Sequence, residues 1–514
     1  MSILKYKCMC VQNSKRRRVL SPDKPSVCLR RRHELRSDFT LSHALETFVT
    51  VVIHLLMNED FCHMPTLSPA LKSALSGAKF TKAVVVESGG LARLGATFAE
   101  CFPGRRAIVV ADLNTWKAAG ERALQELNTA GIETEAPYIF ETEGKLPANA
   151  DLARQLADSL RDKDCIIVAV GSGVLNDLGK YASGILGRPY LCVPTAASMD
   201  GYSASGASLL DGGFKRTLSC PPPEAIVADL DVIAAAPAKM AGWGYGDLAG
   251  KLVAALDWHI ADTLGEDAIN PVPFALVQDN LAQWLSNPEG VARGEADAIH
   301  DLISGLLISG FAIQAHGDSR PASGSEHQFA HLWEMEGLKV DGYPASHGAC
   351  VGLASVAMLA LYEHLLAEDV TEAARAALGK AQPGEQALRD RIDGLFPLPH
   401  VREAAWLEGQ AKLIEPEAQE ARREKIAAAW PDLLPELRAK FIPPGEMAAK
   451  LRATGAPVHP EQMNMSLESL EKDFHRAQFV RRRYTSLDLL RDTGLYDRLV
   501  AASFAPSGYW RTRS

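Results

Sequence analysis

His327 and His331 stand four residues apart in the stretch Ser325-Glu-His-Gln-Phe-Ala-His-Leu-Trp-Glu334, and a third imidazole, His347, stands directly before Gly348. Residues four apart on a helix share one face, one turn above the other. Three imidazoles within about twenty residues, with carboxylates close by, make the donor set of a divalent-metal site. Gln328 stands where a His-Glu-x-x-His metalloprotease needs glutamate, so that class is excluded. Taken alone, an i,i+4 histidine pair also fits a capped or surface pair. Ser323 or Ser325 is the expected cap of this helix, after a turn marked by Gly317, Pro321 and Gly324.

The elements that must position these residues begin upstream. Short apolar runs at Lys82 to Glu87, Arg106 to Asp112, Pro137 to Glu141, Cys165 to Val170, Tyr190 to Pro194 and Ala225 to Asp229 alternate with helical segments. That alternation predicts an α/β, doubly wound parallel sheet whose ligands lie at the carboxyl ends of its strands. Asp112 ends the second run, about twenty residues after Gly89-Gly90, where a carboxylate binds a ribose 2'-hydroxyl or simply forms a turn. Gly171-Ser-Gly173-Val174-Leu175-Asn176-Asp177 opens a helix whose free N–H groups suit a pyrophosphate. Asn176 replaces the last glycine of G-x-G-x-x-G, and a plain tight turn fits equally. The next run ends in Thr195-Ala196-Ala197-Ser198-Met199-Asp200-Gly201-Tyr202-Ser203-Ala204-Ser205, whose hydroxyls and carboxylate can grip a cofactor and a polyol-like substrate. Leu209 to Leu218 is expected as a hairpin turning on Asp211-Gly212-Gly213 and displaying Lys215 and Arg216.

From about Pro237 the pattern becomes helical. Ala241 to Lys251 is expected to start an apolar helix with Asp247 in its first turn, where a carboxylate complements the helix dipole. Further helices are expected at Glu295 to Gln314, Leu353 to Ala367, Val370 to Gly379, Arg402 to Leu413, Pro416 to Trp430, Met447 to Ala453 and Leu467 to Gln478. The implied organisation is a basic extension over 1–63, a nucleotide-binding sheet domain over 64–236 and a helical domain over 237–514.

The net charge of −9 argues against general nucleic-acid binding. Residues 1–63 hold 11 Lys/Arg against 6 Asp/Glu, so they differ from the acidic remainder. They are expected to be a poorly ordered arm, with the natural product beginning near Met57 or Met64. No apolar run is expected to reach the ~20 residues of a membrane span. Cys101, Cys165, Cys192, Cys220 and Cys350 are scattered and suit reduced thiols of a cytoplasmic protein.

Taken together, Gly171-Ser-Gly-Val-Leu-Asn-Asp177, Thr195-Ala-Ala-Ser198-Met-Asp200-Gly, Gly246-Asp247-Leu, Ser325-Glu-His327-x-x-x-His331 and His347-Gly348 resemble the bacterial sn-glycerol-1-phosphate dehydrogenases. That family lies within the dehydroquinate-synthase-like and iron-containing alcohol dehydrogenase superfamily. The likeness runs from about Met64 to the C-terminus and includes Arg481-Arg-Arg-Tyr-Thr-Ser-Leu-Asp-Leu-Leu490. It implies a metal held by Asp247, His327 and His347, with nickel, zinc or, less often, iron, and His331 touching substrate. It implies NAD(P) bound by Gly173 to Asp177 and Thr195 to Ser198, and substrate bound by Asp200, beside the ribose role that its place gives Asp112. The family's serine four residues after that aspartate is Ala204 here, so Ser203 or Ser205 serves. The implied reaction is reduction of dihydroxyacetone phosphate to sn-glycerol 1-phosphate, by hydride transfer to a metal-polarised ketone, in phospholipid metabolism and in a homodimer. Asp247 and His331 would be the catalytic groups, and Lys215, Arg216 and Lys251 the candidates for the substrate phosphate. A polyol dehydrogenase or a dehydroquinate-synthase-like lyase on the same fold, or a non-catalytic nucleotide-binding relative, are the competing assignments.

Overall fold

The computed structural model describes residues 67–142, 144–212 and 214–512, so the basic arm and its cysteines lie outside the described residues. Among the described residues eight strands precede residue 230: β1 (Ala83–Glu87), β2 (Arg106–Asp112), β3 (Tyr138–Phe140), β4 (Cys165–Gly171), β5 (Tyr190–Pro194), β6 (Ala207–Asp211), β7 (Phe214–Leu218) and β8 (Ala225–Asp229). Six of them pair in parallel in the order β1-β8-β5-β4-β2-β3, and β6 and β7 form an antiparallel hairpin. Ile108 of β2 faces Ile167 of β4, and Val168 of β4 faces Leu191 of β5.

The six parallel strands are apolar along their middles, with charges such as Glu87, Arg106 and Asp112 at their ends, because both sheet faces are covered. Ile108, Val110 and Ile167 join a core that continues into the helices, while Ala107, Val109 and Val168 pack against Leu91, Leu94, Phe98 and Leu127 on the other face. From β2 the sheet extends outward to β3, and from β4 it extends the opposite way through β5 to β8. The carboxyl ends of β2 and β4 therefore flank the switch point of the sheet. Asp112 and the Gly171-Ser-Gly173 turn stand on either side of it.

The helical part is organised by Ala238–Thr263, Ala296–His316, Ser325–Met335 and His347–Leu365. Asp247 lies in the third turn of the first of these, a correction to the expected first turn. The helix starts at Pro237 and runs on through Gly242, Gly244 and Gly246 despite their poor helix propensity. The glycines are needed for contact. A Cβ on Gly246 would stand 2.4 Å from the Gly348 carbonyl oxygen, and one on Gly348 only 2.0 Å from that of Trp243. One on Gly244 would come within 2.1 Å of the Ala197 carbonyl oxygen, so the same helix is pressed against the loop after β5.

Two further expectations need correction. The helix expected to stop at Trp430 runs over Pro416–Lys440, through Pro431 and Pro435, anchored by buried Trp430, Leu433 and Leu437. Ala296–His316 and His347–Leu365 are long and apolar enough to cross a membrane, although no run of that length was expected. Their most apolar stretches are 78% and 89% buried inside the protein, which marks them as core helices here.

Candidate metal and substrate site

One ligand atom each from Asp247, His327 and His347 lies within 4.8 Å of the other two. The three residues come from three different helices, and the glycine contacts above bring two of those helices together. His327 Nε2 stands 3.9 Å from Asp247 Oδ1, and the His327 and His347 ring centroids are 5.2 Å apart. Each histidine uses its other nitrogen on a glutamate: His327 Nδ1 is 2.7 Å from Glu326 Oε1, and His347 Nδ1 is 2.8 Å from Glu334 Oε1. A carboxylate on Nδ1 fixes the tautomer and leaves Nε2 as the ligand atom, the usual support of a metal-bound imidazole. The donor set therefore fits a divalent cation, and its mixture of one carboxylate and two imidazoles suits zinc, nickel or iron.

The electrostatics agree. Burial works against protonation of His347, but the Glu334 carboxylate beside it wins and lifts it to about 9. The centre thus gathers positive charge when no cation is bound. Burial and the Lys251 charge hold His327 well below its usual value, and burial with Arg481 brings His331 down to about 4. Burial and the Asp257 charge raise Glu326 to about 8. Burial would raise Glu334, yet the charge of His347 and the imidazole hydrogen bonds keep it well below the carboxylate range.

Lys251, four residues after Asp247, is fully buried. Its Nζ donates to Asp247 Oδ1 at 2.7 Å and pairs with Asp200 Oδ2 at 2.8 Å. It neutralises two carboxylates and has no spare reach for a substrate phosphate. The Asp200 amide donates to Asp247 Oδ2 at 2.9 Å, and Ser309 Oγ donates to Asp200 Oδ2. Asp200 thus joins the loop after β5 to the metal trio. Arg216 is exposed, while Lys215 is half-buried and its charge reaches Glu334 and Asp177.

His331 is outside the trio. Its Nε2 accepts from an Arg481 guanidinium nitrogen at 2.9 Å, and its Nδ1 is 3.4 Å from Glu334 Oε2. Neither Ser323 nor Ser325 caps the His327 helix: Gly324 is the N-cap, and the Ser325 amide donates to Asp257 Oδ2 at 2.6 Å. Asp257 Oδ1 also accepts from Tyr362 Oη and from the Ser486 amide, so one buried carboxylate gathers three segments.

The residues expected around the cofactor separate by role. Gly173 and Val174 are half-buried at the helix start, and Met199 lies against Gly173. Leu175 is core, and Asn176 is buried, donating to the Gly201 carbonyl and accepting from Tyr190 Oη. Asp177 Oδ2 accepts from the Ser208 amide. Thr195, Ala196, Ala197 and Ser198 are buried, with Ser198 Oγ 3.1 Å from Tyr202 Oη. Ser203 is fully buried and donates to the Leu307 carbonyl, whereas Ser205 is exposed. Asp112 Oδ1 caps a short helical turn through the Asn114 and Thr115 amides. The Gly89 and Leu91 amides are taken by Asp229, so that turn is held by the protein itself.

Sequence reasoning gave no role to Glu326, Glu334, Lys180, Asp257 or Arg481. Glu334 was the most accessible of them, since it lies seven residues after His327 on the same helix face. Lys180, whose Nζ donates to the Gly201, Ala204 and Gly206 carbonyls, carried no local signal.

Residues 85–237 match the family model described as iron-containing alcohol dehydrogenase. A glycerol-1-phosphate dehydrogenase (NAD(P)+) of Halalkalibacterium halodurans is 35% identical over 50% of this chain and 64% of its own length. The enzyme of that name from Bacillus subtilis is 30% identical over 76% of this chain and 88% of its own. One from Methanosarcina mazei is 29% identical over 57% of this chain and 79% of its own. Among solved structures, a probable glycerol dehydrogenase from Sinorhizobium meliloti superposes with a TM-score of 0.52 at 17% identity, covering 83% of this chain and 98% of its own. Maleylacetate reductase from Agrobacterium tumefaciens gives 0.50 at 14%, covering 82% and 96%. At those identities the likeness establishes the shared fold. With the extent of the Bacillus subtilis match, the chain belongs to the glycerol-1-phosphate dehydrogenase family of the iron-containing alcohol dehydrogenase superfamily.

Proposed function

We propose that the chain reduces dihydroxyacetone phosphate to sn-glycerol 1-phosphate with NAD(P)H at a centre formed by Asp247, His327 and His347. The observation that carries this reading is the convergence of those three donors, each imidazole held by its own glutamate, beside Asp200 at the carboxyl edge of the sheet. When bound there, a nickel, zinc or iron ion supplies Lewis acidity at the ketone oxygen, and the nicotinamide supplies hydride.

The chain's own residues do the rest. Glu326 and Glu334 hold the two imidazoles with Nε2 forward. Lys251 balances the charge of Asp247 and Asp200, so two buried carboxylates stand side by side at moderate cost. Asp200, fixed through Ser309, orients a substrate hydroxyl. His331, the imidazole outside the donor trio, lies beside the substrate position with its Nε2 held by Arg481. The crevice between β2 and β4 takes the dinucleotide, with its pyrophosphate against Gly173 and its ribose near Asp112. Ser203 is committed to the Leu307 carbonyl, which favours the exposed Ser205 for contact with the nicotinamide half. The division of the chain near Pro237 follows the end of the sheet. A homodimer is part of the same proposal, and the free, mostly buried cysteines suit a cytoplasmic setting.

The test is NAD(P)H oxidation by metal-reconstituted protein with dihydroxyacetone phosphate beside free dihydroxyacetone. Turnover that requires the phosphate ester, with a product that sn-glycerol-3-phosphate dehydrogenase does not oxidise, is expected. Turnover with the free ketone alone would make the protein a polyol dehydrogenase.

A further inference from the structure

Lys251 is locked between two carboxylates and Arg216 is exposed, which leaves half-buried Lys215, whose charge reaches Glu334, of the cations first expected to hold a substrate phosphate. The loop joining the helices Leu467–Ala477 and Ser486–Thr493 supplies others. Arg481 reaches His331 Nε2 at 2.9 Å with one guanidinium nitrogen and Ser319 Oγ at 2.9 Å with the other. Arg483 reaches the same Ser319 Oγ at 3.3 Å and the Ser323 carbonyl at 2.6 Å. Two guanidinium groups therefore meet at one serine hydroxyl. Among the described residues the carboxylate paired with them is Asp318, which touches Arg483 at 3.2 Å and is 62% exposed. Arg481 itself makes no ion pair among the described residues.

Like charges packed together away from water are costly unless an anion joins them. Burial and the neighbouring Arg483 charge bring Arg481 down to about 10, against the pull of Glu408, Asp318 and Glu334. The placement is specific as well. His331 lies 5.7 Å from His347 between ring centroids, so Arg481 stands one imidazole away from the metal trio. On its other side the loop lines a cavity of about 620 Å³. Planar guanidinium pairs are the natural receptor for a phosphate, which they bind through paired N–H groups.

Resting on the dehydrogenase reading above, we propose that Arg481 and Arg483 form the subsite that binds the phosphate group of the substrate and selects a phosphorylated ketone over a free one. Arg482, between them, borders the same cavity but pairs with Glu408 at 2.8 Å rather than with Ser319 or His331 and is 64% exposed, which makes it the internal control.

The experiment uses the full chain loaded with metal and two readouts. Inorganic phosphate binding is measured by calorimetry, and KM and kcat are measured with dihydroxyacetone phosphate. Arg481→Met and Arg483→Met should each weaken phosphate binding roughly 10- to 100-fold, the loss of a charge-assisted contact, and raise KM by a similar factor with a smaller change in kcat. Arg481→Lys keeps the charge without the fork, guards against a folding defect, and should fall between wild type and Arg481→Met. Arg482→Met should match wild type. Phosphate binding and KM unchanged in Arg481→Met and Arg483→Met, or weakened equally in Arg482→Met, overturns the subsite. Wild-type protein that binds phosphate through Arg481 yet fails to turn over the ketone phosphate would retain the subsite and refute the proposed reaction. Turnover with an unaltered KM in the variants would do the reverse.

Discussion

Replacing Glu334 with glutamine isolates the charge that supports the metal centre. Glu334 accepts from His347 Nδ1 through Oε1 at 2.8 Å and faces His331 Nδ1 through Oε2 at 3.4 Å. Its side chain is only 7% exposed, so solvent cannot substitute for it. Glutamine keeps the shape and can still accept from His347, but the bond changes from charge-assisted to neutral. That difference is on the order of 1 kcal/mol to 1.5 kcal/mol. The His331 contact is long and adds little, so the expected loss in metal affinity is about tenfold, at the lower end of the ~10- to 100-fold range for such supporting partners. Competition with a fluorescent zinc chelator above about pH 9, where His347 is neutral in both proteins, measures it, and thermal melting of the metal-free variant guards against a folding defect. An affinity within about twofold of wild type in a folded variant would refute the supporting role. A loss beyond about a thousandfold would instead make Glu334 a ligand.

Three further outcomes are expected. Gly348→Ala drives a methyl to within 2.0 Å of the Trp243 carbonyl oxygen, so it should destabilise the protein by at least the ~1 to 3 kcal/mol of core overpacking, read as a lower melting temperature, together with weaker metal binding. Asp112→Ser keeps a helix cap but removes the carboxylate, so the ratio of kcat/KM for NADP(H) over NAD(H) should rise; an unchanged ratio removes Asp112 from the ribose site. In the metal-free protein His347 is protonated up to about pH 9, so its folded value exceeds the ordinary one. The stability this gives the metal-free fold is complete below about pH 6.5 and is lost as pH rises through about 9. A metal needs the neutral imidazole, so its addition at pH 7.5 should release a proton in weak buffer, and apparent affinity should climb about tenfold per pH unit until about pH 9. Affinity independent of pH in that window would contradict it.

The sheet was legible because a strand buried on both faces must be apolar along its middle, and Arg106–Asp112, Tyr190–Pro194 and Ala225–Asp229 stand where their sequences place them. His327 and His347 stood out by type, whereas Asp247 entered the candidate set only through the family resemblance. Asp247 was misplaced within its helix because glycine propensity argues against Gly244 and Gly246, whereas helix contact requires them. What surrounds the donors was hidden for a physical reason. Lys251 looks like a phosphate-binding cation until its two carboxylates are seen on either side of it. Arg481 lies 150 residues from the histidine it touches, and no local pattern records such a pairing.

The central claim is that Asp247, His327 and His347 are one metal centre on which turnover depends. Its most direct test titrates nickel or zinc into metal-free protein while measuring NADH oxidation with dihydroxyacetone phosphate and metal content on the same samples, beside His347→Ala. Activity should rise with bound metal and saturate at about one equivalent per chain, with His347→Ala soluble, metal-free and inactive. Turnover by the metal-free protein, or by His347→Ala, would contradict it.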